Sequence, residues 1–233
     1  MFRNDELGFE SSYDTSMRSA VTRTYLWMLV GVLITGVIAA LCSNSLQFQI
    51  ALYTNPYSSW ILLIAQIGVA VAFSARLFKM SMTTARILFL AYAALLGVTC
   101  SSLALVYDIA SIAFAFILSA GYFLGLTVIG YTTKANLLKF GPILYTGLFV
   151  LIIVEVIMML FGMDTSTMLF TAIGLALFTG ITAYDTQKMK VLLQQAQGDE
   201  DMTKRVSIYS AFQLYLDFIN IFIYIMRIVG SRD

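Results

Sequence analysis

Seven blocks of apolar residues, each about the 20 residues that a helix needs to cross a hydrocarbon core, are separated by the charged positions of this chain. They fall at about 24–43, 59–77, 86–106, 109–130, 141–161, 166–188 and 206–229. Runs of this length predict helices, because backbone crossing lipid must satisfy its hydrogen bonds within the segment. The connections are short. Pro142, next to Gly141, falls in the first turn of the fifth block, where a missing N–H costs no helix bond. Pro56 falls in a polar stretch, "YTNPYSS", that reads as a loop. The predicted organisation is an N-terminal tail, residues 1–23, followed by a transmembrane domain over 24–230. The fold class is an all-α integral membrane protein with seven transmembrane helices.

The last block carries the most informative polar residue. In "LYLDFINIFIYI", Asp217 stands among Leu, Tyr, Phe and Ile. A charged side chain at mid-bilayer costs about 2.5–3.5 kcal/mol on insertion scales, so its surroundings decide whether it is tolerable. Ser210, Gln213, Asn220, Tyr224 and Arg227 lie at three- and four-residue steps from it or from one another. Those steps form one stripe of a helix. The stripe predicts that Asp217 faces the bundle interior or a water-filled cavity, not lipid.

Two further acids lie in apolar blocks. Asp185 ends the sixth, one turn after Thr182, and Glu155 sits in "VLIIVEVIMML", nearer the opposite end of the fifth. Arg76, in "AFSARLFKM", closes the second block at a depth similar to Asp185, so an ion pair between them is geometrically allowed. Two carboxylates that share a site resist ionising together and titrate as a unit. Such a pair binds a hard cation through oxygen or senses protons. The alternative from spacing alone is that each acid simply hydrogen-bonds neighbouring helices. For Glu155, the reading is either the outer part of a pathway or a solitary acid bonded to a nearby hydroxyl. Asp108 and Asp164 fall in short turns and read as solvated.

Charge sets the expected orientation. Arg3, Arg18 and Arg23 precede the first block; Arg76, Lys79 and Arg86 lie around the second connection. Lys134 and Lys139 separate blocks four and five, and Lys188, Lys190, Lys204 and Arg205 separate six and seven. The connections after blocks one, three and five hold no Lys or Arg. The positive-inside rule then places the N-terminus in the cytoplasm and, with seven full crossings, the C-terminus outside. Arg227 and Arg232 run against that bias, which leaves open a seventh segment that enters without crossing. The first 22 residues hold four acids and no apolar core, so no cleavable signal is expected.

Composition narrows the chemistry. Hydrophobic residues make up 60% and charged residues 12%, the latter about half the share of a soluble domain. A net charge of +1 gives no bias towards nucleic acid. With no histidine, His-based metal sites and Ser–His or Cys–His nucleophiles are excluded. Cys42 and Cys100 read as buried, reduced thiols. Gly121 with Gly125, and Gly97 with Ser101, have small-residue spacing, read as close packing within the bundle. No tightly bound cofactor is expected.

The motifs "AYDTQKMK" and "LYLDFINIF", about thirty residues apart, resemble the paired signatures of the Bax-inhibitor family, and the compact bacterial members in particular. The resemblance extends to length, seven spans and short basic loops. It implies six helices around a central seventh, and a pH-sensitive calcium leak channel in the bacterial inner membrane. Calcium and protons are then the permeant and regulating ions. It also implies that Asp185 and Asp217 form a di-aspartyl sensor that holds Ca²⁺ transiently. Arg76 is the implied latch on Asp185, with Arg86 the other candidate. Thr182, Gln213, Asn220, Tyr224 and Glu155 would support the pathway. Some relatives carry an acid in span two; here "LLIAQIGVAVAF" offers only Gln66.

Three other functions compete with the leak channel. One is a non-transporting regulator of a membrane-embedded protease or a stress pathway. Another is a proton-coupled cation exchanger. The third, an aspartyl intramembrane protease, is disfavoured because no glycine immediately precedes Asp217 and no proline follows Pro142. The chain is therefore expected not to be an enzyme.

Overall fold

A computed structural model describes residues 2–163 and 167–230, with side chains described outside positions 2–14, 53 and 56. Asp164 and Arg232 lie outside the described residues. The structure is built from helices, with no strand among the described residues: α1 (Phe2–Ser43), α2 (Leu46–Tyr53), α3 (Pro56–Arg76), α4 (Met82–Cys100), α5 (Ile109–Thr132), α6 (Gly141–Leu160), α7 (Met168–Gln195) and α8 (Glu200–Val229). Short 3-10 turns at Ser101–Leu105 and Leu137–Phe140 extend α4 and precede α6. Among the described residues, seven helices are long and apolar enough to cross a membrane; α2 is too short.

The span positions follow the hydropathy pattern, and the differences lie at the ends. α1 is helical from Phe2, through the segment expected to be a tail. Pro56 opens α3 instead of lying in a loop, because Asn55 caps that helix by accepting from the Tyr57 N–H at 2.9 Å. α7 continues past Lys188 and Lys190 to Gln195. Hydropathy marks where the chain leaves lipid; the helix stops only near Gly198, whose φ of 91° is left-handed. Asp199 then caps α8, accepting from the Met202 N–H at 2.9 Å. With 30 residues, α8 is roughly 45 Å long and has the length for a full crossing.

α8 is the most enclosed spanning helix. Its backbone packs closely against α1, α4, α5 and α7. α3 and α6 stand against α4 and α7 and reach α8 through side chains. One such contact is Phe73 against Phe212, with ring centroids 4.3 Å apart. Thr35 of α1 links both neighbours: its hydroxyl lies 2.9 Å from the Ala93 carbonyl and 2.6 Å from the Tyr215 hydroxyl. The aromatic rings of Phe73, Phe89, Tyr92, Phe212 and Tyr215 fill the space between α3, α4 and α8.

Small residues pack selectively. A Cβ on Gly97 would lie 2.7 Å from the Thr35 carbonyl oxygen, so α1 and α4 meet there. Gly121 and Gly125, expected to pack inside the bundle, instead have open space beside them on the outer face of α5. Cys42 and Cys100 are unpaired and half-buried. Gln66 of α3 donates to the Thr99 hydroxyl at 2.6 Å, joining α3 to α4.

The basic ends are held by specific contacts. Arg205 of α8 donates to the Leu77 and Met80 carbonyls at 3.0 and 2.7 Å, closing the end of α3. Arg86 lies over the Trp27 ring at 5.3 Å. At the opposite end, Asp108 caps α5: its Oδ1 accepts from the Ser111 N–H at 2.8 Å and its Oδ2 from the Ser111 hydroxyl at 2.6 Å. Those bonds favour the ionised form and hold the Asp108 carboxyl below its ordinary range.

Candidate carboxylate site in the bundle interior

On α7, Phe178, Ile181, Asp185, Met189 and Leu193 recur at three- and four-residue steps and are buried. On α8, the stripe from Ser210 through Asp217 to Tyr224 turns the same way, with Gln213 and Asn220 half-buried beside the buried acid. α7 and α8 pack closely along their length. Gly174 permits this, because the Tyr224 ring lies directly on it and leaves no room for a Cβ.

Together with α4 and α6, these helices enclose a cavity of about 220 Å³. Asp185, Asp217 and Glu155 all line it, and so do Gln213, Asn220 and Tyr224. The two aspartates are almost wholly enclosed, at 4% and 3% exposure. They are near enough to interact electrostatically. Their partners differ. Asp185 Oδ1 accepts from the Tyr145 hydroxyl of α6 at 2.9 Å. Asp217 Oδ2 is buried with no hydrogen-bond partner. Glu155 Oε1 accepts from the Tyr224 hydroxyl at 3.3 Å. Glu155 is thus bonded to a hydroxyl and lines the shared cavity as well.

The remaining expected residues divide. Asn220 donates its amide to the Leu216 carbonyl of its own helix at 2.8 Å, leaving its carbonyl oxygen uncommitted. Thr182 is buried but does not line the cavity; its hydroxyl donates to the Phe178 carbonyl at 2.7 Å. Arg76 is exposed at the end of α3 and makes no ion pair with Asp185. The expected Arg76–Asp185 pair is therefore not formed in this conformation. The end of α3 is joined to α8 through Arg205 instead.

The cation facing Asp185 is Lys188, three residues on along α7. Its ammonium donates to the Tyr209 hydroxyl at 3.3 Å. It lies 5.6, 5.8 and 5.4 Å from the ring centres of Tyr145, Tyr184 and Tyr209. Three aromatic faces border the ammonium of this half-buried lysine. Tyr145 and Lys188 were the functional neighbours not singled out from sequence. The i, i+3 spacing of Asp185 and Lys188 was the available signal; Tyr145 gave none beyond a hydroxyl inside a span.

Two carboxylates, a free amide oxygen and nearby hydroxyls make an oxygen-rich but incomplete coordination shell. Among the described residues no group of three or more acidic, Cys or His side chains gathers into a metal cage.

The chain matches the family described as "Inhibitor of apoptosis-promoting Bax1" over residues 17–233. It is 37% identical over 217 residues to the inner membrane protein YbhL of Escherichia coli K12, covering 93% of each chain. It is 38% identical over 205 residues to an uncharacterized protein of Borreliella burgdorferi, covering 88% of each. A Rickettsia prowazekii protein, also uncharacterized, is 34% identical over 221 residues, covering 95% of this chain and 93% of its own.

Proposed function

The chain belongs to the Bax-inhibitor family, and on that premise we propose that it is a pH-sensitive calcium leak channel gated by Asp185 and Asp217. The proposed setting is a bacterial inner membrane, with the basic ends of the helices in the cytoplasm. The observation that carries the reading is Asp217 Oδ2, buried without a hydrogen-bond partner in the cavity that also holds Asp185 and Glu155.

A buried carboxylate in that position is costly while ionised and unpaired. A proton relieves it, and so does a cation shared with Asp185. The two occupants leave different net charges beside Lys188 and on the facing surfaces of α6, α7 and α8. A closed–open equilibrium then shifts by the difference in interaction energy between its states. Ca²⁺ entering the cavity meets Asp185, Asp217 and the Asn220 oxygen. It meets too few ligands to be trapped, as conduction requires. Glu155 extends the acidic lining towards the other end of the cavity, with Tyr224 orienting it.

Arg76 enters this scheme as a latch only through motion. Since it does not pair with Asp185 here, latching requires the ends of α3 and α7 to approach. The Arg205 contacts with Leu77 and Met80 limit how far α3 travels.

The test is Ca²⁺ flux into liposomes holding the purified protein, followed from about pH 6 to pH 8, where a shared proton has room to titrate. Asp185→Asn and Asp217→Asn are expected to flatten the pH response and change the flux. Identical curves for wild type and both variants would remove the dyad from the mechanism. Flux no greater than that of empty liposomes would remove the channel itself and leave a regulatory role.

A further inference from the structure

At the basic end of the bundle, a second cavity of about 340 Å³ opens between α5, α7 and the loop that joins α5 to α6. It is separate from the carboxylate site and shares no lining residue with it. Lys134 and Lys190 line it with Thr133, Asn136 and Gln187, and no carboxylate does. We propose that this cavity binds the phosphate headgroup of an anionic phospholipid from the leaflet that the basic end faces.

The loop is built before any ligand arrives. Gln187 of α7 clamps it from both sides: its amide donates to the Ala135 carbonyl at 2.8 Å and its oxygen accepts from the Leu137 N–H at 2.7 Å. Thr133 accepts from the Ala135 N–H at 3.2 Å, and Asn136 from the Leu138 N–H at 3.1 Å. These bonds use the oxygens of Thr133 and Asn136 as acceptors. The Thr133 hydroxyl hydrogen and the Asn136 amide hydrogens stay available to an anion.

The lysines are placed rather than merely present. Lys190 is half-buried, with its ammonium over the Tyr131 ring at 4.7 Å and donating to the Tyr131 carbonyl at 3.0 Å. One of its three hydrogens is committed and two remain. Lys134 is exposed and forms no hydrogen bond or ion pair with a described residue. The ion pairs among the described residues are Lys204 with Glu200 and Arg205 with Asp201, both within α8. The cavity's positive charge is therefore not cancelled by protein acids.

Its depth favours a lipid over a free ion. Lys134 follows the last turn of α5, where the apolar span ends, and Leu138 and Val191 add apolar lining beside the lysines. A headgroup in this position brings its glycerol and acyl carbons against apolar surface, while a free phosphate gains nothing there. Basic pockets between spanning helices at this level are suited to anionic headgroups.

The experiment is native mass spectrometry of the full-length protein, titrated with phosphatidylglycerol and with phosphatidylcholine of the same acyl chains. Lys134→Gln and Lys190→Gln are each expected to weaken phosphatidylglycerol binding about fivefold, and the double variant about thirtyfold. Phosphatidylcholine is expected to bind more weakly than phosphatidylglycerol, and Lys190→Arg and Lys79→Gln to keep the wild-type affinity for phosphatidylglycerol, Lys79 being a basic-end cation outside the cavity. Lys134 makes no hydrogen bond to the described fold, so its variant reads binding even where Lys190→Gln misfolds. Equal affinity for the two lipids, or equal loss in Lys79→Gln, would overturn the site. Displacement of phosphatidylglycerol by inorganic phosphate at matched concentration would overturn the lipid assignment.

Discussion

The Tyr145 hydroxyl reaches across from α6 to donate to Asp185 at 2.9 Å, while Asp217, on the other wall of the same cavity, has no such donor for Oδ2. Two acids at one site are thus held differently, one oriented by the protein and one left to whatever enters. Tyr145→Phe removes the orienting bond and almost nothing else. A hydrogen bond to a charged acceptor is worth about 1.5–3 kcal/mol and one to a neutral acceptor about 0.5–1.5, so the variant is expected to lose about 1–3 kcal/mol of stability in a denaturation titration. Tyr184→Phe, which deletes a neighbouring hydroxyl that does not bond the carboxylate, is the matched control.

Asp217→Leu separates stability from function. A polar group without a partner gains nothing from burial, and replacing it with an apolar side chain of similar size is often neutral or stabilising. The variant is expected to melt at or above the wild-type temperature in detergent while losing the pH dependence of Ca²⁺ flux. A marked fall in melting temperature would show that Asp217 is satisfied in the folded protein.

Arg76→Ala and Lys188→Met distinguish the latch that motion would bring to Asp185 from the cation that already faces it. If the ends of α3 and α7 close through Arg76, Arg76→Ala raises the basal leak at the pH where wild type is closed. An unchanged leak would exclude Arg76 as the latch. Lys188→Met strips a charge from between three tyrosine rings, at a stability loss of about 1 kcal/mol for a half-buried cation–π site. It is expected to displace the pH response, because Lys188 faces Asp185 from within the same helix. Lys188→Arg is expected to retain the charge effect.

Asp108 gives a pH prediction independent of the interior. Its carboxyl is held below its ordinary range by Ser111, so its capping contribution is present at pH values above the unfolded carboxylate range. It is lost as pH falls through the lower folded value. Asp108→Ala is expected to melt below wild type at neutral pH, with the gap closing in acid. A gap that persists below both values would assign the effect to something other than the ionised cap.

The seven spans were legible because bilayer thickness imposes a length that no neighbouring residue alters. The interior face of α8 was legible for a related reason: in an otherwise apolar helix, Gln213, Asp217, Asn220 and Tyr224 have only one way to avoid lipid. What sequence does not carry is the rotation of one helix against another. Arg76 and Asp185 match in depth, yet depth says nothing of which way the end of α3 turns, and it turns outward. Gly97 and Gly121 look alike in sequence, yet α1 lies against the first and no described residue lies against the second. The run of α7 beyond Lys188 was hidden because hydropathy reports immersion and not helicity.

Thr35, in the first spanning helix, meets Tyr215, in the last. During synthesis these partners enter the bilayer far apart in time, and Thr35 waits through the 180 residues that separate it from Tyr215. α8 supplies one wall of the carboxylate cavity, a clamp on α3 and the partner of Thr35. A nascent chain that stops before it therefore presents the inward faces of α1, α4, α5 and α7 to lipid. Assembly is then close to all-or-none across the thirty residues of α8. Shortened chains are expected to be cleared by membrane quality control rather than to survive as partial pores.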